Sequence, residues 1–168
     1  MAVPGRPVAG DYFLVRTSGL FGVLIRWATR SRWSHAGVYV GDGRIVESWT
    51  SGARISDVTS WPDAAWSHFD LDEQQRQGIA TAALSLVGTP YGWLDIAAIS
   101  LGTFGITLGP IGRRISNDGT MICSQLVDSA YERAGVHLFN DGRLPGMVTP
   151  GDLGRLAGFA APTEKVKP

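Results

Sequence analysis

The chain has 168 residues, 44% of them apolar, with fifteen basic residues balanced by fifteen acidic ones and a single cysteine. That length and composition suit one folded domain with a real core, and the charge balance gives no reason to expect nucleic acid as a partner. One cysteine excludes an internal disulfide, and with three histidines it forms no metal-ligand cluster and names no cofactor.

The start, MAVPGRPVAGDYF, lacks the apolar core of a signal peptide, which predicts a soluble, cytoplasmic chain unless another route releases or injects it. GDYFLVR (10–16) reads as a short strand after a glycine-rich lead. From residue 18 the period changes: Leu20, Val23, Leu24, Trp27 and Ala28 recur at three and four residues, with Arg26 and Arg30 on another face. That is an amphipathic helix with Ser18 as its expected cap. Arg6, Arg16, Arg26, Arg30 and Arg32 face only Asp11 in sequence before residue 35. A solvated helix face is the plainer account of them, and a peripheral contact with an anionic membrane or wall surface is the sharper one.

SHAGVYVGDGRIVES (34–48) alternates like a β-hairpin. Residues 50–70 read as loop, with strands expected at Ala53–Val58 and near Trp66–Leu71. LDEQQRQGIATAALSLVG (71–88) is a second helix with acidic residues in its first turn and Gly88 past its end. TPYGW breaks the pattern. Ile96 to Ile111 carries no charge but is glycine-interrupted and shorter than the ~20 residues of a spanning helix, so it reads as buried or interfacial. MICSQLVDSAYERAG is a third helix, with Leu126, Val127, Ala130, Tyr131 and Ala134 on one side and Gly135 as its stop. TPGDLGRL precedes a polar tail, residues 161–168, expected to be disordered; residues 1–160 read as a single domain. Helices and antiparallel strands mix irregularly, so the class is α+β.

Cys123 falls in the first turn of its helix, where unpaired N–H groups and the helix dipole favour a thiolate and can hold an oxyanion. A buried, merely packed cysteine is the competing account. A nucleophilic thiol needs a base. His68 shows no evident partner and His137 lies past a helix end, but His35 can have one. With a three-residue Gly41-Asp42-Gly43 turn, Gly37 faces Glu47, and His35 and Glu47 become diagonal neighbours about 7–8 Å apart on one sheet face. The carboxylate would then fix the imidazole tautomer, as the third member of a triad does, and Gly37 would leave room for the contact. A two-residue Asp42-Gly43 turn, equally permitted, puts Glu47 on the opposite face.

Three stretches resemble the NlpC-type papain-like cysteine peptidases in their circularly permuted form: SHAGVYVGDGRIVES, GTPYGW (88–93) and ICSQLV (122–127). In that family the third catalytic residue follows the histidine by twelve positions, as Glu47 follows His35. The order here, a GD strand (Gly10, Asp11) and a histidine ahead of the cysteine, is that of the permuted YaeF/YiiX-like branch, which is related to lecithin–retinol acyltransferase. RWATRSRWSHAGVYVGDG (26–43) is close to that branch, and the resemblance runs from Gly10 to about Leu153.

The resemblance implies a permuted papain-like fold with Cys123 as nucleophile, His35 as general base and acid, and Glu47 as the orienting group. It implies that the Cys123 N–H supplies part of an oxyanion hole, and that Tyr91 lines the pocket, although Tyr91 precedes Cys123 by more residues than is usual there. It implies amide hydrolysis in bacterial cell-wall peptidoglycan peptides through a covalent thioester. A lipid-directed thioesterase or acyltransferase using the same residues is the alternative, with segment 94–111 and the arginine-bearing helix as its acyl-binding or membrane-facing mouth. A non-catalytic binding module is the third reading.

Overall fold

A computed structural model describes residues 6–92, 119–142 and 147–159. Within them five strands form one antiparallel sheet accompanied by four α-helices, so the α+β class holds. The apolar stretch 94–111 and the tail from 160 onward lie outside the described residues, as do the expectations attached to them.

The sheet is built around β1 (Tyr12–Val15), whose four residues are all buried. A strand covered on both faces needs the unbroken apolar run seen in YFLV. It pairs with β2 (His35–Gly41) on one side and with the two-residue β5 (Ala65–Trp66) on the other. β3 (Arg44–Trp49) and β4 (Gly52–Asp57) complete the order β4-β3-β2-β1-β5. The strands expected at Ala53–Val58 and near Trp66–Leu71 are thus found as β4 and, shorter and earlier, β5.

The β2–β3 hairpin combines both turns that the sequence allows. Asp42 and Gly43 carry φ of 51° and 71°, and Gly41 pairs with Arg44, so the chain reverses over two residues. That alone would turn Glu47 to the wrong face. The ladder shifts between Tyr39 and Gly41, however, and beyond the shift Tyr39 faces Ile45 and Gly37 faces Glu47. The extra residue of this bulge restores the alternation. Gly37 itself makes room for something unanticipated. A Cβ there would lie 2.6 Å from the Phe13 ring and from the Val46 carbonyl oxygen, so the glycine admits Phe13 rather than the His35–Glu47 contact directly.

Because side chains alternate, the sheet has two different faces. Tyr12, Leu14, Ala36, Val38 and Val46 pack under α2 (Glu73–Ser85) and α3 (Cys123–Arg133). Asp72 caps α2 in a reciprocal box with Gln75. In α3 the expected stripe is found: Leu126, Val127, Ala130 and Tyr131 are buried against the sheet, and Gly135 follows with φ of 76°. Truncating Leu126 to alanine would cost about 2–5 kcal/mol. The other face carries a smaller cluster of Phe13, Val15 and Ile45, covered by Tyr39, Trp61 and Trp66. His35 and Glu47 belong to this second face.

α4 (Pro150–Leu156) starts on a Thr149 cap and lies close against residues 31–33 through Gly151 and Gly154. α1 (Leu20–Thr29) departs from expectation twice. Its N-cap is Gly19 at φ 91°, with no side-chain bond, so Ser18 does not cap it. Its apolar stripe also points outward, where a surface helix ordinarily turns such a stripe to the core: Leu20, Val23, Leu24 and Trp27 are 87%, 50%, 49% and 63% exposed, while Gly22 and Ile25 face in. No described helix is long and apolar enough to cross a membrane.

Candidate active site

Glu47 is fully buried in the middle of β3. A carboxylate there is costly unless its charge is matched by donors, and five hydrogen bonds converge on it. Oε2 accepts from His35 Nε2 at 2.7 Å and from the Trp61 indole N–H at 2.8 Å. Oε1 accepts from the Arg54 Nε and Nη2 at 3.1 and 2.9 Å and from the Ser56 hydroxyl at 2.7 Å. Sheet register explains most of this convergence. Arg54 is the direct β4 partner of Glu47, and Ser56, two residues on, faces Ile45 on the same side.

His35 is the first residue of β2, buried, and boxed by aromatic rings. Phe13, Trp49 and Trp61 lie with centroids 5.8, 5.0 and 5.2 Å from the imidazole. With Nε2 committed to Glu47, Nδ1 is the nitrogen left for Cys123, with which His35 also interacts. Burial alone would push the imidazole pKa down. The hydrogen bonds to Cys123 and Glu47, and the charges of those two groups, outweigh burial and raise it to about 9. Glu47 is the mirror case: burial pushes it up, but the bond to His35 and its charge, with Ser56 and Trp61, hold it down at about 2. The imidazole is therefore cationic at neutral pH.

Cys123 is buried and is the first residue of α3. Its position is fixed from three directions. The Ile122 N–H donates to Gln125 Oε1 at 2.8 Å, closing the helix start, and the Ser124 hydroxyl donates to the Val148 carbonyl at 2.6 Å. The hydroxyl of Ser48, next to Glu47 in the chain, donates to the Met121 carbonyl at 2.7 Å. Cys123 and Glu47 are thus tied through adjacent backbone. Being at the first helical position, the Cys123 N–H has no intrahelical carbonyl and is available to an oxyanion.

Tyr91 forms a parallel bridge with Met121, reinforced by the Met121 N–H to the Pro90 carbonyl at 2.9 Å. The wide sequence gap to Cys123 is therefore closed in space: buried Tyr91 runs beside the segment leading into Cys123. The four residues singled out in sequence occupy one region, with His35 in contact with both Cys123 and Glu47 and Tyr91 held by the backbone beside them. The other histidines lie elsewhere. His137 is exposed, and His68, which has a partner after all, sits 3.5 Å from Asp11.

Sequence reasoning missed Arg54, Ser56, Trp61 and Ser48. Alternation on Ala53–Val58 would have reached Arg54 and Ser56 had the Thr50-Ser51 turn been recognised, since a two-residue turn places Arg54 opposite Glu47. Trp61 carries no such signal. It arrives from beyond a 3₁₀ turn at Val58–Ser60, and only folding brings its N–H to Glu47.

No protein-family model matches this chain, and neither does any curated protein sequence.

Proposed function

We propose that this chain is a papain-like cysteine hydrolase of the permuted NlpC type, cleaving an amide bond in bacterial cell-wall peptides. The observation that carries the reading is the chain of contacts from Cys123, at a helix start, through His35 to a fully buried Glu47 at 2.7 Å. A buried cationic imidazole held between a thiol and a carboxylate is what an activated thiolate needs. A structural cysteine has no use for it.

The chemistry follows from the geometry. The Cys123 sulfur attacks the carbonyl carbon, and the carbonyl oxygen takes the electron pair and is met by the Cys123 N–H. The tetrahedral adduct collapses as His35 gives its proton to the departing amine, leaving a thioester. His35, now neutral, takes a proton from water, and the resulting hydroxide attacks the thioester. The tetrahedral adduct breaks its carbon–sulfur bond, expelling the Cys123 thiolate and the free acid, and His35 keeps the proton it took from water, which restores the ion pair. Glu47 stays ionised throughout, holding the ring so that Nδ1 meets sulfur and substrate in turn. The amide bond and its peptide substrate come from the resemblance of the three motifs, and the covalent thioester chemistry from the site.

Purified peptidoglycan incubated with the protein and analysed by mass spectrometry should release new muropeptides, with Cys123→Ala releasing none. No new fragments, alongside turnover of an acyl thioester or phospholipid, would reject the wall substrate and assign the same trio to acyl transfer.

A further inference from the structure

α1 leaves the sheet after Val15 and returns to it at His35, and these two residues are paired across β1 and β2. Its base is pinned: the Thr17 N–H donates to the Ser34 hydroxyl at 2.8 Å, and the Ser34 N–H donates to the Val15 carbonyl at 3.1 Å. The helix therefore projects from the end of the sheet that carries His35. Leu20, Val23, Leu24 and Trp27, spaced at i, i+3, i+4 and i+7, form its outward face, and all four are about half exposed or more. Exposing the apolar stripe of an amphipathic helix forfeits the burial that normally stabilises it, so the face needs a covering.

Charge decides what covers it. No aspartate or glutamate occurs between Asp11 and Asp42, while Arg16, Arg26, Arg30 and Arg32 all do, in a chain that is neutral overall. Arg26 is used internally, its guanidinium donating to the Thr17 carbonyl at 2.6 Å. Arg16, Arg30 and Arg32 are exposed at the two ends of the helix. An apolar stripe with tryptophan and leucine, bordered by arginines, is the pattern of a helix lying in the headgroup plane of an anionic bilayer.

We propose that the outer face of α1 docks on an anionic lipid bilayer, holding the His35 end of the sheet toward the membrane surface. The alternatives satisfy half of the surface each. A hydrated wall polyanion matches the arginines and leaves the leucines wet. A second copy would cover the leucines and set arginines against arginines. The charge-free stretch 96–111 would leave the arginines unmatched. The proposal is independent of the reaction catalysed.

The test is flotation of the full chain with vesicles of equal parts phosphatidylglycerol and phosphatidylcholine, beside vesicles of phosphatidylcholine alone. Binding to the anionic vesicles is expected, reduced about tenfold or more by the pair Leu20→Ser and Leu24→Ser. A similar loss is expected from Arg16→Gln with Arg30→Gln and on raising salt toward roughly 1 M, where the screening length shrinks to about 3 Å. Iodoacetamide labelling of Cys123 should proceed at the parent rate in both pairs. Should the leucine pair fail to fold, Leu20→Ser alone, at the most exposed position, should still lower binding about threefold. Failure to float, or flotation unchanged by the leucine substitutions, overturns the proposal. So does a dimer, detected without vesicles, that the leucine pair disperses, or retention on cell walls but not on vesicles.

Discussion

Among the described residues, two buried carboxylates, Glu47 and Asp11, each have a histidine and an arginine beside them, in very different settings. Glu47 meets His35 at 2.7 Å and Arg54 at 2.9 Å. Asp11 meets His68 at 3.5 Å and Arg76 at 3.0 Å, and also accepts the Val8 N–H at 2.9 Å. In the second cluster the histidine side chain is 44% exposed and its contact with the carboxylate is long. Arg76 joins Asp11 to the Phe69 carbonyl at 2.7 Å, and Tyr131 donates to the Gly10 carbonyl at 2.6 Å. Those bonds fasten the start of the chain to α2 and α3. In the first cluster the histidine is buried, caged by three rings and shared with a cysteine at a helix start. A carboxylate, a histidine and an arginine thus make a clasp in one place and, on the proposed function, a poised acid–base pair in the other. Burial of the imidazole and the cysteine beside it make the difference.

Substitutions should separate the two. His35→Ala should lower hydrolysis by roughly 10⁴-fold or more and slow iodoacetamide labelling of Cys123 to the rate of an ordinary thiol; a labelling rate equal to the parent's would remove the proposed pair. Glu47→Gln should cost on the order of 10²–10⁴ in kcat. It should also change the pH profile. In the parent, kcat/KM should fall on the alkaline side as His35 loses its proton near pH 9. Glu47→Gln removes one of the influences raising that pKa, so the alkaline limb should move to lower pH. A limb that stayed in place would mean that Glu47 only fills space.

The same pair predicts where stability is gained. His35 is raised above its ordinary 6.5, so its share is complete below about pH 6.5 and is lost as pH climbs through about 9. Glu47 is depressed below its ordinary 4.5, so its share is complete above about pH 4.5 and is lost as pH falls through about 2. Both shifts describe one ion pair and count once. Thermal unfolding should show the greatest difference between parent and Glu47→Gln at about pH 4.5–6.5.

Asp11→Ala should do the reverse of the active-site changes. It should cost about 3 kcal/mol of stability in urea unfolding, because Arg76 loses a buried partner, and leave kcat within about threefold of the parent. A large loss of kcat in the folded variant would show that the two clusters are coupled. Smallest is Trp61→Phe, which keeps the ring but removes one donor to a charged acceptor. A fall in kcat/KM of about tenfold is expected, with the alkaline limb moved slightly down. An unchanged profile would leave Trp61 as cover alone.

Sequence alone reached the α+β class and the order of most elements, because alternation and helical period are local signals. It also singled out Cys123, His35 and Glu47, from a thiol at a helix start, a possible diagonal pair on a hairpin and the resemblance of three motifs, and the structure brings the three into one region. Sequence reasoning stopped where two local solutions were degenerate. The Gly41-Asp42-Gly43 turn allowed either face for Glu47, and the structure chose a two-residue reversal plus a bulge, which gives the same pairing as the three-residue turn and keeps Ile45 and Val46 on their respective apolar faces. In α1 the period was right, but period cannot say which side is inward. Gly22 and Ile25 face the protein, and the richer apolar stripe was left outside. The partners of Glu47 came from another hairpin and a loop, and Tyr91 from a segment far from Cys123 in sequence. Contacts of that kind depend on how strands and loops pack in three dimensions, which no window of sequence contains.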